Sequence, residues 1–266
     1  MLLRFPEPYD FGLSAERFRV FGPDLANLWH EEALYRAVCG REVRIASAPG
    51  GVEVEPLDEV TRPTVEKLLG REFELDRFVL WAASQPVLRE LVPRLSGFRP
   101  PLAPDPFESL VTSITAQQVS LRAAAAIRSR FIARLGVRCG RVYAFPTRER
   151  VAAAAELELV ALGFSRRKAE YVIGLARAEL DLDELVELPD DEIRARLTAV
   201  RGLGPWTAEW FLARHLARPR AWPAGDLALR KAVDLFYGSD VHELGPRLDP
   251  FQNLSAHYLL TASRMP

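Results

Sequence analysis

A short turn between two helical stretches constrains this 266-residue chain more than any other feature of its sequence. The turn holds Gly202 and Gly204, and Pro205 follows directly. Glycine tolerates a positive φ, and proline is favoured at the first position of a helix because no backbone N–H is needed there. The sequence therefore predicts a helix over Asp190–Val200, a tight hairpin, and a second helix over Pro205–Leu216.

The start of the second helix is a candidate phosphate site. Free backbone N–H groups and the positive end of the helix dipole attract anions there. Gly202 and Gly204 let a phosphate approach the main chain closely, and Thr207 offers a hydroxyl. Such a hairpin binds DNA phosphates without reading base sequence. Taken alone, a Gly-x-Gly turn is equally typical of a plain helix C-cap and connector.

The hydropathy pattern changes near residue 75. Before it, Glu42–Ser47 and Gly51–Glu55 alternate polar and β-branched residues around a Pro-Gly-Gly turn, which predicts a β-hairpin. After it, the pattern is helical. The fold class predicted is α+β, mostly α, with an N-terminal mixed α/β domain over 1–75 and a helical domain over 76–266. The other helices predicted are Thr64–Leu69, Phe107–Leu135 with an interruption near 117–120, Arg148–Ala161, Arg166–Glu179 and Asp226–Phe236.

Charge and cysteine content limit the class of protein. The formal net charge is −1, yet residues 121–220 carry 18 basic against 13 acidic side chains, so a local basic face is permitted. Two cysteines suggest no disulfide framework. No apolar run approaches the roughly 20 residues that span a bilayer, and the N-terminus does not resemble a signal peptide. We therefore expect a soluble, cytoplasmic protein without a membrane partner.

An aspartate follows the hairpin at the start of another helix. Asp226 comes 22 residues after Gly204 and directly after the sequence Pro-Ala-Gly. An aspartate in such a place is usually just an N-cap. The hairpin, the proline–glycine approach and the aspartate in this order form a more specific combination than any one of them.

Several motifs together resemble the 3-methyladenine-DNA glycosylase II family of the helix–hairpin–helix DNA glycosylase superfamily. The resemblance extends over almost the whole chain, and the hairpin and the Pro-x-Gly-Asp segment are its most specific parts. The matching segments are Pro8–Phe11, Pro106–Leu110, Ile114–Ser120, Leu162–Ala169, Arg201–Ala208 and Pro223–Asp226.

The resemblance implies a base-excision repair enzyme that acts on damaged double-stranded DNA as a monomer. Such an enzyme rotates a nucleotide into a pocket and hydrolyses its N-glycosidic bond. Asp226 would be the catalytic carboxylate that stabilises the developing sugar cation. The implied layout is a central bundle over about 105–218 with the hairpin at 197–208, and an outer bundle of 76–104 plus 219–266.

Residue 206 decides the reaction subtype. Bifunctional relatives carry a lysine before the Thr-Ala of the hairpin, and this lysine forms a Schiff base with the sugar. The residue here is Trp206, whose indole forms no imine, so no lyase activity is expected. Its ring can stack on a flipped cationic base, which favours alkylated purines such as 3-methyladenine. Trp206, Trp210 and Leu260 are the implied base-pocket residues, with core packing as the alternative role of the tryptophans.

The resemblance also implies DNA contacts and a possible cation. Gln118 occupies the position of the side chain that enters the duplex, where relatives often use an apolar wedge. An iron–sulfur cluster needs four cysteines and is excluded by the sequence. No cofactor is required, but Na⁺ or K⁺ can bind the hairpin through the backbone carbonyls of Thr198, Val200 and Gly202. The implied DNA-binding residues are Gln117, Gln118, Ser120, Arg166, Lys168, Gly202, Gly204 and Thr207.

Three departures from the family pattern bear on the substrate. Leu260, Thr261 and Arg17 stand where well-known relatives place aromatic pocket walls. The preferred lesions therefore need not be those of the relatives. Two alternatives stay open at this point: a glycosylase for oxidised or deaminated bases, and a non-catalytic helix–hairpin–helix DNA-binding protein.

Overall fold

The computed structural model describes residues 1–265 and begins with a mixed α/β layer. Five antiparallel strands form a sheet in the order β1-β5-β4-β3-β2. The elements of this layer are β1 (Leu2–Arg4), α1 (Phe11–Ser14), α2 (Glu16–Val20), β2 (Asn27–His30), β3 (Ala33–Val38), β4 (Arg41–Ala48), β5 (Gly51–Glu55) and α3 (Arg62–Leu68).

The predicted β-hairpin is confirmed as β4 and β5. Val43 and Ile45 of β4 and Val52 and Val54 of β5 are fully buried, because every second side chain of a strand points to the same face. The turn needs glycine at Gly51, where φ is +156° and a Cβ atom would lie 2.1 Å from a backbone oxygen of β1. These side chains form an apolar core of their own beneath α1 and α3.

The rest of the described chain is largely helical, which confirms the predicted fold class. Its elements are α4 (Leu75–Ala82), α5 (Leu88–Arg94), α6 (Pro106–Ala116), α7 (Leu121–Leu135), β6 (Val137–Cys139), β7 (Val142–Ala144), α8 (Arg148–Ala152), α9 (Glu156–Ala161), α10 (Arg166–Arg177), a 3₁₀ turn (Glu184–Glu187), α11 (Asp190–Ala199), α12 (Pro205–Arg214), α13 (Leu227–Tyr237), α14 (Val241–Arg247) and α15 (Gln252–Ala262).

Two details of the helical part differ from the sequence prediction. The single helix predicted over Arg148–Ala161 is wrong: the structure has α8 and α9, separated at Ala153–Ala155. At this break the guanidinium of Arg177, in α10, donates two hydrogen bonds to the Ala152 carbonyl and so caps the C-terminal end of α8. The short β6–β7 hairpin was not predicted from the sequence, and β7 lies against the sheet at β3. No helix among the described residues is both long and apolar enough to cross a membrane.

A buried ionic network joins the sheet to the helices. Glu108 of α6, only 4% exposed, accepts hydrogen bonds of 2.6 Å from Arg36 of β3 and from Arg128 of α7. Arg128 also pairs with Asp24 at 3.2 Å. Burial by itself raises the pKa of Glu108, but the two guanidinium groups outweigh it and hold this pKa at about 2. The network thereby fixes the N-terminal layer against α6, whose C-terminal end contacts the hairpin through Gln117.

Candidate active site

The hairpin between α11 and α12 has the geometry that its glycines predict. Gly202 has φ +97°, and a Cβ atom there would lie 2.3 Å from Cγ of Tyr171. Gly204 is the N-cap residue of α12 at φ −97° and ψ 178°, and nothing lies within 4 Å of its missing Cβ. No side chain caps the α12 N-terminus. The open side of Gly204 therefore leaves room for an anion at the helix start.

Gln117 connects α6 to the hairpin. Its Nε2 donates to the Gly202 carbonyl over 3.0 Å and lies 3.5 Å from the Thr207 hydroxyl. Thr207 is 1% exposed, so its hydroxyl lies inside the hairpin rather than on the DNA-facing surface. Both residues therefore shape the hairpin from within.

The residues after Gln117 form the exposed loop that the sequence predicts between α6 and α7. Gln118 is exposed and has φ +54°, a left-handed conformation that is uncommon for a residue other than glycine. Ser120 is the N-cap of α7 and accepts from the Ala123 N–H over 3.2 Å. The interruption of the Phe107–Leu135 segment is thus confirmed, and Gln118 stands at its tip.

Three basic residues, Arg166, Arg167 and Lys168, begin α10 close to the same loop. Arg166 is exposed. Lys168 is partly buried, and its Nζ donates to the Thr115 carbonyl at the end of α6 over 2.9 Å. Burial lowers the pKa of Lys168. Lys168 therefore supports the base of the Gln118 loop.

Asp226 acts as a helix N-cap and also accepts hydrogen bonds from two tryptophans. Its Oδ1 caps α13 by accepting from the N–H groups of Ala228 at 2.9 Å and Leu229 at 3.0 Å. Its Oδ2 accepts from the indole Nε1 atoms of Trp206 and Trp210, each at 3.0 Å. The carboxylate is thus fixed by four donors, and it lies beside the first turn of α12 rather than on a distant surface.

Glu209 holds the loop that carries Asp226. Its Oε2 accepts from the backbone N–H of Trp222 over 3.0 Å, and its Oε1 accepts from Nε of Arg194 over 2.6 Å. These bonds tie α11, α12 and the loop into one unit. At Gly225 the loop lies against Trp206, where an added Cβ would make an ordinary van der Waals contact of 3.8 Å with this side chain.

The three residues expected in the base pocket are not equally accessible. Trp206 is partly exposed, whereas Trp210 is 2% and Leu260 8% exposed. The Arg214 guanidinium carbon lies 3.4 Å from the ring centroid of Trp210 and covers one face of the indole. Trp206 is therefore the tryptophan with surface left for stacking, while Trp210 mainly holds the carboxylate.

Three arginines, Arg17, Arg214 and Arg264, form an arginine cluster near His257, and Arg214 is the one that contacts Trp210. Burial and the neighbouring Arg17 lower the pKa of Arg214 to about 9, and burial and Arg264 lower that of Arg17 to about 10. Within residues 1–265 none of the three has a carboxylate within 4.0 Å. The buried His257 approaches the edge of Trp210 from α15, and the three arginines depress its pKa after burial itself.

Sequence reasoning identified Arg17 but not Arg214, Arg264 or Glu209. Arg214 lies one helical turn after Trp210, and Arg264 lies four residues after Leu260. Spacing of four residues on a helix places side chains on one face, so this periodicity was the available sequence signal for Arg214, whereas Arg264 lies beyond the end of α15.

Comparison with known proteins agrees with this geometry. Residues 111–244 match the family profile described as HhH-GPD superfamily base excision DNA repair protein. This match covers half of the chain and includes both the hairpin and Asp226. The chain therefore belongs to the HhH-GPD superfamily.

Individual similar proteins are also described as DNA glycosylases. A DNA-3-methyladenine glycosylase of Bacillus subtilis (strain 168) is 30% identical over 192 residues, which are 68% of this chain and 63% of that protein. The chain thus spans less than two thirds of this relative. The 3-methyladenine DNA-glycosylase structure from Archaeoglobus fulgidus superimposes with a TM-score of 0.89 at 26% identity, covering 100% of this chain and 99% of that one. The Schizosaccharomyces pombe 3-methyladenine DNA glycosylase in complex with abasic DNA gives a TM-score of 0.60 at 26% identity over 69% and 94%.

Proposed function

We propose that the protein is a monofunctional DNA glycosylase of base excision repair that hydrolyses the N-glycosidic bond of flipped-out alkylated purines such as 3-methyladenine. The observation that carries this proposal is the position of Asp226, whose carboxylate is held by two indoles at the N-terminus of the hairpin helix. A protein that only clamps DNA has no use for a carboxylate fixed in this way. The names of the relatives support the substrate class.

The chemistry follows from the charge that develops on the sugar. As the C1′–N bond lengthens, its electron pair leaves with the base and the deoxyribose becomes cationic. A carboxylate beside C1′ stabilises that cation and accepts the proton of the attacking water. The hydrogen bonds from Trp206 and Trp210 keep the Asp226 carboxylate in place before the reaction, so little reorganisation is needed in the transition state.

Trp206 supports a hydrolase without lyase activity. A lyase needs an amine that attacks C1′ and forms an imine. In this chain the corresponding position carries an indole, and its N–H is already bound to Asp226. Water is then the nucleophile that completes the reaction.

The proposed partner is damaged double-stranded DNA, bound by a monomer at the cytoplasmic nucleoid. The α12 N-terminus at Gly204 and the exposed Arg166 are suited to phosphates, and the exposure of Gln118 in its loop supports its proposed entry into the duplex. Gln117, Lys168 and Thr207 act from inside, because each is bonded to or packed against the hairpin or the α6 end. Their loss would weaken DNA binding by deforming the loops.

A monovalent cation is compatible with the hairpin carbonyls of Thr198, Val200 and Gly202. The Val200 oxygen already accepts from the Leu203 N–H over 3.0 Å, and the Gly202 oxygen accepts from Gln117. Each carbonyl oxygen has a second lone pair, and neutral oxygens suit Na⁺ or K⁺. We propose that such an ion would bridge the turn and stabilise it for DNA binding. Thermal unfolding in KCl compared with choline chloride at equal ionic strength tests this, with a higher Tm in KCl expected.

The decisive experiment is direct. Purified protein is incubated with DNA methylated at purines, and the released bases are identified by chromatography and mass spectrometry. The proposed function requires free methylpurines and intact strands until alkali is added. DNA binding without release of any base would overturn it in favour of the non-catalytic alternative.

A further inference from the structure

The Trp210 indole contacts a cation on its face and a carboxylate at its edge. The Arg214 guanidinium carbon lies 3.4 Å from the centroid of the Trp210 ring, and the indole N–H donates to Asp226 over 3.0 Å. Arg214 comes four residues after Trp210 in α12, so both side chains lie on one face of this helix. The three side chains are therefore in consecutive contact.

These two contacts match the charge distribution of an aromatic ring. The face of such a ring carries partial negative charge, and its edge carries partial positive charge. A guanidinium on the face is attracted to the ring and draws its electrons away from the edge. Because neighbouring polar groups in a buried chain of contacts polarise one another, the indole N–H becomes a stronger donor. The charge of Arg214 therefore strengthens the hydrogen bond from Trp210 to Asp226.

Arg214 keeps its charge although it is poorly compensated. Its Nε is buried without a hydrogen-bond partner within the described part of the chain. Burial and the neighbouring Arg17 lower the pKa of Arg214 to about 9, while Asp226 is the carboxylate that raises it. Removing a charge from water costs free energy unless an opposite charge compensates it. A side chain that only filled space beside Trp210 would not need this charge, so we infer an electrostatic role.

The two indoles that bind Asp226 differ in how they are held. The Trp210 ring is 2% exposed, and the His257 ring of α15 packs against it with centroids 6.0 Å apart and an angle of 62° between the planes. Trp206 is partly exposed, and no arginine or lysine of residues 1–265 lies over its ring. The influence of Arg214 therefore reaches the carboxylate through Trp210 and not through Trp206.

We propose that Arg214 is a positioning residue for base release, which acts through the Trp210 indole to fix the Asp226 carboxylate beside the deoxyribose. This inference rests on the proposed function. Arg214 contacts neither the sugar nor the base in this arrangement. Its guanidinium strengthens one hydrogen bond, and that bond holds the carboxylate oxygen in place while the sugar becomes cationic, so less reorganisation is needed in the transition state.

A double-mutant cycle tests whether Arg214 acts through Trp210. Single-turnover base release from duplex DNA methylated at purines is measured together with DNA affinity by fluorescence anisotropy. Arg214→Met removes the charge and keeps the length of the side chain, whereas Arg214→Lys keeps the charge. Both are made in the wild-type, Trp210→Phe and Trp206→Phe backgrounds. Arg19→Met is the matched control, because it removes an arginine from over another tryptophan ring, that of Trp29.

The expected result is a loss of rate that depends on Trp210. In the wild-type background Arg214→Met should slow base release about tenfold, the effect of weakening a hydrogen bond to a charged group, with DNA affinity unchanged. Arg214→Lys should recover most of this loss, because an ammonium group is also attracted to the ring face. In the Trp210→Phe background Arg214→Met should change the rate by less than about twofold, since the connection is already broken. In the Trp206→Phe background the full loss should remain, and Arg19→Met should leave the rate unchanged.

The contrary outcomes are distinguishable. An equal loss from Arg214→Met in the wild-type and Trp210→Phe backgrounds would show that Arg214 acts on the DNA directly, and this would overturn the inference while leaving the proposed function intact. Arg214→Met as active as wild type would also overturn the inference alone. Tm and near-UV circular dichroism identify a variant that misfolds. If Trp210→Phe does so, the comparison of Arg214→Lys with Arg214→Met still decides, because equal losses for both would show that the charge has no role. Wild-type protein that binds DNA and releases no base would overturn the proposed function as well.

Discussion

Trp210 donates its indole N–H to the carboxylate of Asp226 over 3.0 Å. This contact joins the hairpin helix to the segment that carries the candidate catalytic carboxylate. It is repeated by Trp206, one turn earlier on the same face of α12. Two indoles therefore determine where the carboxylate oxygen lies relative to the DNA-facing end of the hairpin.

Replacing Asp226 by asparagine should abolish most base release. Asparagine can cap α13 through its amide oxygen, but its amide nitrogen then faces the two indole donors. In the opposite orientation the cap is lost. Either arrangement should lower the free energy of unfolding by about 1–2 kcal/mol. Loss of the negative charge should slow excision at least about 100-fold, while DNA binding is retained. Single-turnover excision and fluorescence anisotropy measure the two effects. Asp240→Asn is the control, because Asp240 caps α14 in the same way on an exposed part of the surface. Near-normal excision by Asp226→Asn would refute the assignment.

Trp206→Lys should not create an efficient lyase. The structure places position 206 against Asp226, so the new amine would pair with the carboxylate and remain protonated. A protonated amine does not attack C1′. Borohydride trapping and strand nicking are the measurements, with Trp206→Phe as the variant that keeps an aromatic ring. Nicking by Trp206→Lys as fast as its base release would show this reasoning to be wrong.

Gly202→Ala and Gly204→Ala should affect the protein differently. At Gly202 the positive φ and the contact with Tyr171 make a methyl group costly, and we expect a loss of about 2–3 kcal/mol. At Gly204 the methyl group meets nothing, so stability should change by less than about 0.5 kcal/mol. If a phosphate approaches Gly204, DNA affinity should nevertheless fall in that variant. Chemical denaturation and DNA titration separate the two effects, and unchanged affinity in Gly204→Ala would place the phosphate elsewhere.

The Glu108 network should make the free energy of unfolding decrease at acidic pH. The folded-state pKa of Glu108 is about 2, below its usual 4.5, so the carboxylate stabilises the fold above about pH 4.5. That stabilisation is lost as the pH falls from 4.5 towards 2.

Glu108→Gln leaves two buried arginines without their counter-ion and should lower the free energy of unfolding by about 3–5 kcal/mol at pH 7. Urea denaturation at pH 7, 5 and 3.5 measures both effects, with the exposed Glu59→Gln as control. A variant as stable as wild type at pH 7 would contradict the role of the network.

Much of the fold was accessible from local patterns. The hairpin at Gly202–Pro205, the β4–β5 pair and the N-caps at Ser120 and Asp226 each depend on a few neighbouring residues, and short-range rules describe them well. The break within Arg148–Ala161 was missed because Arg177, from a separate helix, caps α8 there. The β6–β7 hairpin was missed because its strands are three residues each and too short for a periodic pattern.

The sequence by itself determined the hairpin, the helical class and the position of the acidic residue that follows the turn. Only the tertiary structure decided that Asp226 meets two indoles, that Gln117 binds the hairpin from within, and that Arg17, Arg214 and Arg264 come together near His257. The physical reason is distance along the chain. Arg17 and Arg264 are almost the whole chain apart, and contacts between such residues are set by how the layers pack, which no local pattern encodes.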